Sequence, residues 1–369
     1  MNDLRYWVGF NRVTGIGPAK LRALLGHFGD LETAWRASSS DLREAGLDRR
    51  ALEYLLAARS AMDLDAEVAK VSRLGAKIVT WDDADYPPQL KSIAALPPLL
   101  YVKGAFAPAD QWAIAVVGTR RATAYGREVT RSLVGDLARS GVTIVSGLAR
   151  GIDAAAHQAA LDTSGRTLAV LGHGIDFVYP PEHRQLAEQI IEHGALVTDY
   201  PVGTPPEGGN FPPRNRIISG LSLGVLVVEG AAPSGARITA EFAMEQGRDV
   251  FAVPGNILQR GSELPNTLIQ EGAIPVLKVD DILEPLNLTM VAQHAEAREV
   301  IPADETEAKL LQLLSAEPVH IDDIQRATEL PISQVSSTLA LMELKGMVRQ
   351  VGGMNYVVAR ETSATYRVD

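Results

Sequence analysis

The sequence contains no cysteine, and aromatic side chains make up only 5% of its 369 residues. Without cysteine the chain can form neither a disulfide nor a thiolate metal site, and its histidines do not show metal-ligand spacing. No apolar run reaches the roughly 18 residues that a membrane-spanning helix needs. The first residues, MNDLRYWVGFNRV, lack the uninterrupted apolar core of a signal peptide. These absences predict a cytoplasmic protein with no bound metal and no membrane partner.

The motifs of several common enzyme classes are also missing. No G-x-G-x-x-G run follows the first predicted strand, and the second strand ends in Ser146, where dinucleotide-binding folds place an acidic residue for the ribose. No G-x-x-x-x-G-K-[ST], G-x-S-x-G or H-E-x-x-H run occurs. We therefore expect no NAD-type cofactor and no P-loop, nucleophile-elbow or zinc-protease chemistry.

Charge is unevenly distributed along the chain, whose net charge is −10. Residues 221–369 carry 11 Lys+Arg against 21 Asp+Glu, whereas residues 113–220 carry 10 of each. All ten cations of residues 113–220 are arginines, which suit bidentate phosphate contacts better than lysines do. The net charge therefore does not exclude a nucleic-acid partner.

Residues 1–80 have apolar positions at helical spacing and predict a small helical domain. The stretch VTGIGPAKLRALL, residues 13–25, resembles a helix-hairpin-helix of the kind found in SAM-like domains. Such a turn either offers backbone N–H groups to a DNA phosphate or only joins two helices of a bundle. The proline-rich residues 81–112 are predicted to form a connecting segment.

From residue 113 onward, apolar β-branched runs alternate with helical segments: AIAVV, VTIV, TLAVL, ALVT, VLVVE, DVFAV and IPVL. This alternation predicts a doubly wound, Rossmann-like parallel sheet with helices on both faces over residues 113–285. Residues 286–303 are predicted to form a linker. Residues 304–369 are predicted to form a winged helix, with three helices followed by a hairpin.

Several predicted strands end in glycine-bearing loops, which gather at the carboxyl edge of such a sheet. The second strand leads into VSGLARGIDAAAH, residues 145–157. Its glycines favour close approach of backbone N–H groups to an anion, Ser146 adds a hydroxyl and Arg150 adds charge. Asp153 is expected to cap the following helix and to form a structural pair with His157, or, alternatively, a catalytic dyad.

A second cluster, GGNFPPRNRIISGLS, spans residues 208–222. Arginines that hold phosphates, beside a ring that stacks on a base, are typical of a single-strand site. The alternative makes Arg214 and Arg216 helix-surface charges and Phe211 part of the core. With Arg120 and Arg150, the two arginines would form a row across one rim of the sheet, which favours nucleic-acid binding.

Six motifs in order resemble the DNA-processing protein A family (DprA, also called Smf): GTRRATAYG, VSGLARGIDAAAHQAAL, GIDFVYPPEHRQL, FPPRNRIISGLS, SGARITAEFAMEQGRDVFAVPGN and NTLIQEGA. The resemblance implies a non-enzymatic, dimeric protein of natural transformation. Such a protein binds and protects single-stranded DNA and loads the RecA recombinase, with single-strand-binding protein as a further partner. The DNA-binding residues that we predict are Gly118, Thr119, Arg120, Ser146, Gly147, Arg150, Gly151, Asn210, Phe211, Arg214, Asn215 and Arg216.

The sequence departs from the family pattern at two positions. Some relatives carry a lysine three residues before the aromatic residue, where this chain has Gly208, so a contact from this position is not implied. His183 stands where asparagine is common, and nothing in the sequence explains that change.

The resemblance also implies a dimer interface in the last part of the sheet domain, to which we assign Met244, Leu268 and Ile269, although core packing explains these residues equally well. The winged helix is predicted to bind a partner rather than to read DNA, because residues 302–360 carry five Lys+Arg against eight Asp+Glu.

Two alternative functions remain open from the sequence. SGARITAEF, with Thr239 and Glu241, resembles a degraded form of the nucleotide-binding loop of LOG-type phosphoribohydrolases, whose intact P-G-G-x-G-T-x-x-E run is absent. A nucleotide-binding enzyme of that kind is therefore the alternative function. A transcription regulator is the third candidate, and only the winged helix supports it.

Overall fold

A computed structural model describes residues 3–288, 305–314, 319–328, 330–344, 348–351 and 353–358. The chain divides into two units, residues 1–292 and 293–369. Within the described residues, no helix is both long and apolar enough to cross a membrane.

Six helices form the N-terminal region, as the apolar spacing predicts. Asp or Ser side chains accept backbone N–H groups at the start of five of them, but α2 begins after Gly17 without a side-chain cap. The helices are α1 (Leu4–Asn11), α2 (Pro18–Phe28), α3 (Leu31–Arg36), α4 (Ser39–Glu44), α5 (Arg49–Ala61) and α6 (Leu64–Arg73).

A nine-stranded sheet follows, and it contains all seven strands that the alternating pattern predicts. Its order is β1-β2-β6-β5-β4-β3-β7-β8-β9, and the pairings from β6 to β9 are parallel. The chain winds outward from β3 to β6 and then returns to the other side of β3. The strands are β1 (Lys77–Thr80), β2 (Leu99–Gly104), β3 (Ala113–Val117), β4 (Thr143–Ser146), β5 (Thr167–Val170), β6 (Ala195–Thr198), β7 (Gly224–Val227), β8 (Asp249–Ala252) and β9 (Ile274–Pro275).

The first two strands extend the sheet beyond the predicted boundary at residue 113. Strand β2 lies within the segment predicted to be a connection and pairs antiparallel with β1 and with β6. Its residues Leu99, Leu100, Tyr101 and Val102 are buried, because β2 is covered on both faces. The segment 81–112 is therefore only partly a connection.

Helices cover both faces of the sheet, as expected for a doubly wound fold. Apolar residues of α7 and α8 pack on one face, and those of α10, α11 and α12 pack on the other. The helices are α7 (Ala124–Arg139), α8 (Ile152–Asp162), α9 (Arg184–His193), α10 (Phe211–Gly220), α11 (Gly235–Glu245), α12 (Glu263–Gln270) and α13 (Asp280–Leu283).

The N-terminal helices share a core with the sheet. One apolar cluster joins Trp7, Phe10 and Leu24 to Tyr101 of β2 and Ile190 of α9. The Asn11 side chain donates to the Asp199 carbonyl at 3.2 Å and accepts from the Tyr101 hydroxyl at 3.1 Å. The helical region is therefore packed against the part of the sheet that contains β2 and β6.

The C-terminal unit has the predicted winged-helix order of three helices and a hairpin. Its core includes Leu310, Ile324, Val335, Leu339 and Met342. Of the predicted linker 286–303, residues 289–303 lie outside the described residues. The elements are α14 (Glu305–Leu313), β10 (Val319–His320), α15 (Ile321–Thr328), α16 (Ile332–Leu344), β11 (Val348–Gln350) and β12 (Asn355–Val358), with strand order β10-β12-β11.

Candidate nucleic-acid interface

A cavity, here called the cleft, opens at the carboxyl edge of the sheet, where the strand order reverses between β3 and β7. Its volume is about 380 Å³. Doubly wound sheets bind ligands at this position because the loops of the two central strands diverge there. The cleft is lined by the loop after β3, by residues at the start of α10 and by the first turn of α11.

The loop after β3 forms one wall. A Cβ on Gly118 would lie 2.5 Å from Cγ1 of Ile152, so only glycine fits. The Thr119 N–H donates to the Glu229 carbonyl at 2.7 Å, which ties this loop to the loop after β7. Gly151 has φ +79°, and its Cβ would lie 2.2 Å from the Thr119 carbonyl oxygen. The glycines therefore let two loops pack together, and the Arg120 side chain is left exposed.

The turn after β4 is filled by a carboxyl group of the protein itself, that of Asp153. The Asp153 carboxylate accepts the N–H groups of Gly147 at 3.1 Å and Ala149 at 3.4 Å. Gly151, not Asp153, is the N-cap of α8, so the predicted cap is wrong. The Ser146 hydroxyl is buried and donates to the Val116 carbonyl at 2.7 Å. The hydroxyl of Ser146 and the N–H of Gly147 are thus used within the fold.

The predicted pair of Asp153 and His157 does not form. Nδ1 of His157 lies 2.7 Å from the Thr167 hydroxyl, which itself donates to the Ile144 carbonyl at 2.8 Å. Nδ1 must therefore carry the proton of a neutral imidazole. Burial lowers the pKa of His157 to about 3, which is consistent with this neutral form. His157 is a packed histidine rather than half of a catalytic dyad.

Arg214 is buried beneath the cleft, with an exposed fraction of 4%. Its guanidinium donates to the carbonyls of Gly147, at 3.0 Å, and Val170. Burial lowers the pKa of Arg214 to about 10, and the charge of Asp153 opposes that shift, so the group remains cationic at neutral pH. Arg214 therefore contributes positive charge below the cleft while its Nε and Nη1 are engaged by the protein.

Phe211 stands at the start of α10 and is half-buried, with two cations close to its ring. The guanidinium carbons of Arg120 and Arg214 lie 5.7 and 5.8 Å from its ring centroid. The Tyr179 ring is tilted by 33° to it at a centroid distance of 5.8 Å. A Cβ on Gly172 would lie 2.7 Å from the Phe211 ring. The ring is thus held in place by its neighbours, and Tyr179 adds a second, partly exposed ring.

The other polar residues of the second cluster lie in different environments. Asn215 lines the cleft, accepts from Arg214 Nε at 3.2 Å and donates to the Gly235 carbonyl at 3.2 Å. Asn210 donates to the Pro205 carbonyl at 3.3 Å. Arg216 projects from a different side of α10, where it forms an ion pair with Asp199 at 2.6 Å.

The predicted row of four arginines across one rim of the sheet is therefore incorrect. Arg214 is buried, Arg216 does not line the cleft, and Arg150 is exposed but forms an ion pair with Glu182 at 2.5 Å. Among the described residues, the Arg120 side chain has no ion pair. Of the four arginines, Arg120 is therefore the exposed cation that is free to contact a phosphate.

Sequence reasoning did not select Tyr179, Arg121 or Ser234 for the site. Arg121 and Ser234 line the cleft, and Tyr179 touches Phe211. Tyr179 belongs to the GIDFVYPP motif and Ser234 to the SGARIT motif, so both were visible as motif members without an assigned role.

The three residues assigned to the dimer interface have different environments. Leu268 is 1% exposed and packs in the core with α11, whereas Met244 on α11 is 48% exposed. Ile269 packs partly against the same core. Core packing therefore accounts for Leu268, and Met244 is the residue that a partner could contact.

The fold and this site define a class, the doubly wound α/β proteins with a cationic cleft at the switch point of the sheet. The family model of DNA recombination-mediator protein A matches residues 77–287, and that of the DprA winged helix domain matches residues 294–354. The chain belongs to the DprA/Smf family.

Relatives with curated descriptions cover most of the chain. It is 38% identical to Protein Smf of Synechocystis over 96% of this chain and 98% of that protein. It is 39% identical to Protein Smf of Escherichia coli, with 89% of each chain covered. It is 44% identical to DNA processing protein DprA of Bacillus subtilis over 58% of this chain and 72% of that protein.

Two solved structures are similar. DNA processing protein A from Streptococcus pneumoniae matches with a TM-score of 0.67 and 34% identity over 77% of this chain and 98% of that chain. The protein from Helicobacter pylori, described for its single-stranded DNA binding mode, matches with a TM-score of 0.52 and 27% identity over 57% of this chain and 96% of that chain.

Proposed function

We propose that this chain binds single-stranded DNA in the cleft and acts as a recombination mediator in natural transformation. The observation that carries the proposal is the arrangement of Arg120 and Phe211 at the mouth of the cleft. A free guanidinium beside a fixed aromatic ring supplies both contacts that a single strand needs, one for a phosphate and one for a base. The single-stranded DNA binding attributed to the Helicobacter pylori relative supports the same function.

In this proposal the predicted site residues act at different distances from the DNA. Arg120 contacts a phosphate and Phe211 stacks on a base. Arg214 raises the positive potential from below the cleft, since a buried charge is weakly screened. Gly118, Gly147 and Gly151 allow the loops to pack, so that Arg120 is held beside Phe211. Arg150 is a rim cation that can reach a phosphate when it leaves Glu182.

A single strand fits this geometry better than a duplex does. Stacking on Phe211 requires a base whose face is free, and base pairing within a duplex hides that face. Sequence preference should be weak, because every base presents an aromatic face to the ring.

The wider role that we propose follows family membership. The protein would protect incoming single-stranded DNA in the cytoplasm and load RecA onto it, working as a dimer, with single-strand-binding protein as a further partner. These steps need surfaces outside the cleft.

The proposal is tested by titrating the full chain with labelled single-stranded and duplex DNA at several salt concentrations. Single strands should bind more tightly than duplex. Arg120→Ala should weaken single-strand binding and make the slope of log K against log salt less steep by about one, which corresponds to the loss of one phosphate contact. Arg131→Ala, an exposed arginine on α7 that does not line the cleft, is the matched control. Unchanged affinity and slope in Arg120→Ala would refute the site.

Nucleotide hydrolysis is the alternative function. One observation supports it, because Ser234, Gly235 and Thr239 at the start of α11 line the cleft. The two carboxylates that such an enzyme would use for catalysis are less suitable, because both are already engaged. Asp153 is bound by backbone N–H groups, and Glu241 forms an ion pair with Arg237 at 3.0 Å. Release of free base from nucleoside monophosphates would favour this alternative over DNA binding.

A further inference from the structure

We propose that a second pocket, on the other side of the α10 start from the cleft, takes a nucleobase of the same DNA strand; this rests on the proposed function. The pocket, here called the base pocket, lies between the N-terminal helices and the loop after β6. Its volume is about 280 Å³. That is close to the lower end of small-molecule pockets, roughly 300 Å³, and suits one heterocycle rather than a large ligand.

The walls of the base pocket are mainly aromatic and apolar. Trp7 and Phe10 of α1 and Tyr200 after β6 line it, together with several prolines. Trp7 and Phe10 are almost fully buried, with exposed fractions of 2% and 0%, so they contribute apolar wall rather than an open stacking face. Tyr200 is half-buried and is the ring that can offer a face to a base.

The polar part of the base pocket is the ion pair between Asp199 and Arg216. One guanidinium nitrogen, Nη2, donates to Oδ2 of Asp199 at 2.6 Å. The other two terminal atoms, Oδ1 of Asp199 and Nη1 of Arg216, are buried and have no hydrogen-bond partner among the described residues. A buried charged group with an unmet hydrogen bond is unfavourable. A small rotation of the two side chains would present an acceptor and a donor to a ligand.

These two atoms without hydrogen-bond partners determine which kind of ligand the base pocket can bind. A phosphate is disfavoured, because the Asp199 carboxylate would repel it. An uncharged, flat group with a donor beside an acceptor satisfies both atoms. Each DNA base carries such a pair on its hydrogen-bonding edge, so a nucleobase fits and the pocket should tolerate more than one base.

The position of the base pocket connects it to the cleft. Pro212 lines the cleft, and the next residue, Pro213, lines the base pocket. These two exposed prolines form a ridge at the start of α10 with a pocket on each side. A single strand that crosses the ridge would place one base against Phe211 and another beside Asp199 and Arg216. This continuity favours a base of the bound strand over a separate ligand.

The pocket can be closed without disturbing the fold. Gly17 lines its mouth, has an ordinary φ of −95° and is exposed, and a Cβ there meets nothing within 4 Å. Gly17→Leu should therefore occupy the mouth without strain. Gly26→Leu is the matched control, since Gly26 is also exposed on α2, has open space around it and does not line the pocket.

The experiment measures the affinity of the full chain for labelled oligothymidylates of increasing length. Wild type and Gly26→Leu should gain affinity once the strand is long enough to cross the ridge. Gly17→Leu should bind the shortest oligomers normally and lose that gain, by roughly fivefold or more for one stacked base. Asp199→Asn, which keeps the shape but removes the ion pair, should show the same loss, confined to the longer oligomers.

The outcomes separate the two proposals. If the variants bind every length as wild type does, the base pocket is overturned and the cleft stands. If wild type binds no oligomer of any length, the proposed function fails, and the base pocket fails with it. Thermal melting of each variant checks that a loss of affinity does not come from unfolding.

Discussion

Arg120 and Arg214 both lie close to the Phe211 ring, and burial gives them different roles. Arg120 is exposed and has no ion pair among the described residues, whereas Arg214 donates to two backbone carbonyls. A phosphate can replace water around Arg120 without breaking a bond within the protein. The same contact at Arg214 would cost the hydrogen bonds that hold the Gly147 turn.

The Phe211 ring is expected to contribute stacking rather than charge. Phe211→Leu should weaken single-strand binding by roughly 1–3 kcal/mol, because leucine fills the space over Gly172 but offers no aromatic face. The salt slope should stay close to that of wild type, since no phosphate contact is lost. Fluorescence anisotropy at several salt concentrations measures both quantities.

Phe211→Tyr is the control for that substitution, because it keeps the ring and should retain most of the affinity. If Phe211→Leu and Phe211→Tyr bind equally well, stacking on this ring does not hold the DNA. A change in the salt slope of Phe211→Leu would instead indicate that the substitution displaces Arg120 from its place beside the ring.

At the scale of elements, α11 has one side in the core and another exposed. Ala236, Ala240 and Ala243 are buried, while Met244 is 48% exposed beside a small cavity that Leu268 also lines. An exposed methionine next to a cavity is a suitable contact for a second copy of the chain. Leu268 lies behind it in the core and cannot serve as the contact itself.

Met244→Glu should therefore give a folded monomer if the chain pairs through α11. A charge at this exposed position leaves the core intact, whereas Leu268→Glu would bury a carboxylate and unfold the domain. Light scattering at tens of micromolar reports the oligomeric state, and Met244→Leu is the control that should remain dimeric. A wild-type protein that is monomeric under these conditions, or a Met244→Glu protein that remains dimeric, would contradict this interface.

At the scale of the whole molecule, the two units are expected to have different functions. The winged-helix residues that the structure describes offer few cations, and Arg326 of α15 already forms an ion pair with Asp323 at 3.1 Å. Ser336, Ser337 and Thr338 of α16 would make only weak contacts with DNA. Four further cations of this unit, Arg298, Lys345, Arg360 and Arg367, lie outside the described residues. A partner-binding role therefore remains our prediction for this unit.

A truncation that ends near Pro302 tests this division. Pro302 lies outside the described residues, after the unit that contains the cleft. The truncated protein should keep its single-strand affinity, because the cleft and the base pocket are built from residues 7–239. Gel shifts with single-stranded and duplex DNA, compared with the full chain, measure the effect. A large loss of affinity for both forms would show that the winged helix itself binds DNA.

Some features were accessible from the sequence because they depend on local patterns. The seven parallel strands follow from apolar runs that are buried on both faces, and the glycine-bearing loops had to meet at one edge of the sheet. Phe211 and Arg120 were found in this way although they lie far apart along the chain. The winged-helix order followed from the same local spacing of apolar residues.

The partners of each polar side chain were decided by the tertiary structure. Arg214 and Arg216 are two residues apart, yet one is buried beneath the cleft and the other pairs with Asp199. Their spacing alone did not indicate which carbonyls and carboxylates the fold would bring to them. The sequence determined the strands and the glycines that let their loops meet. Only the tertiary structure decided that Arg214 and Arg216 are engaged while Arg120 has no ion pair among the described residues, because burial and hydrogen bonding depend on distant parts of the chain.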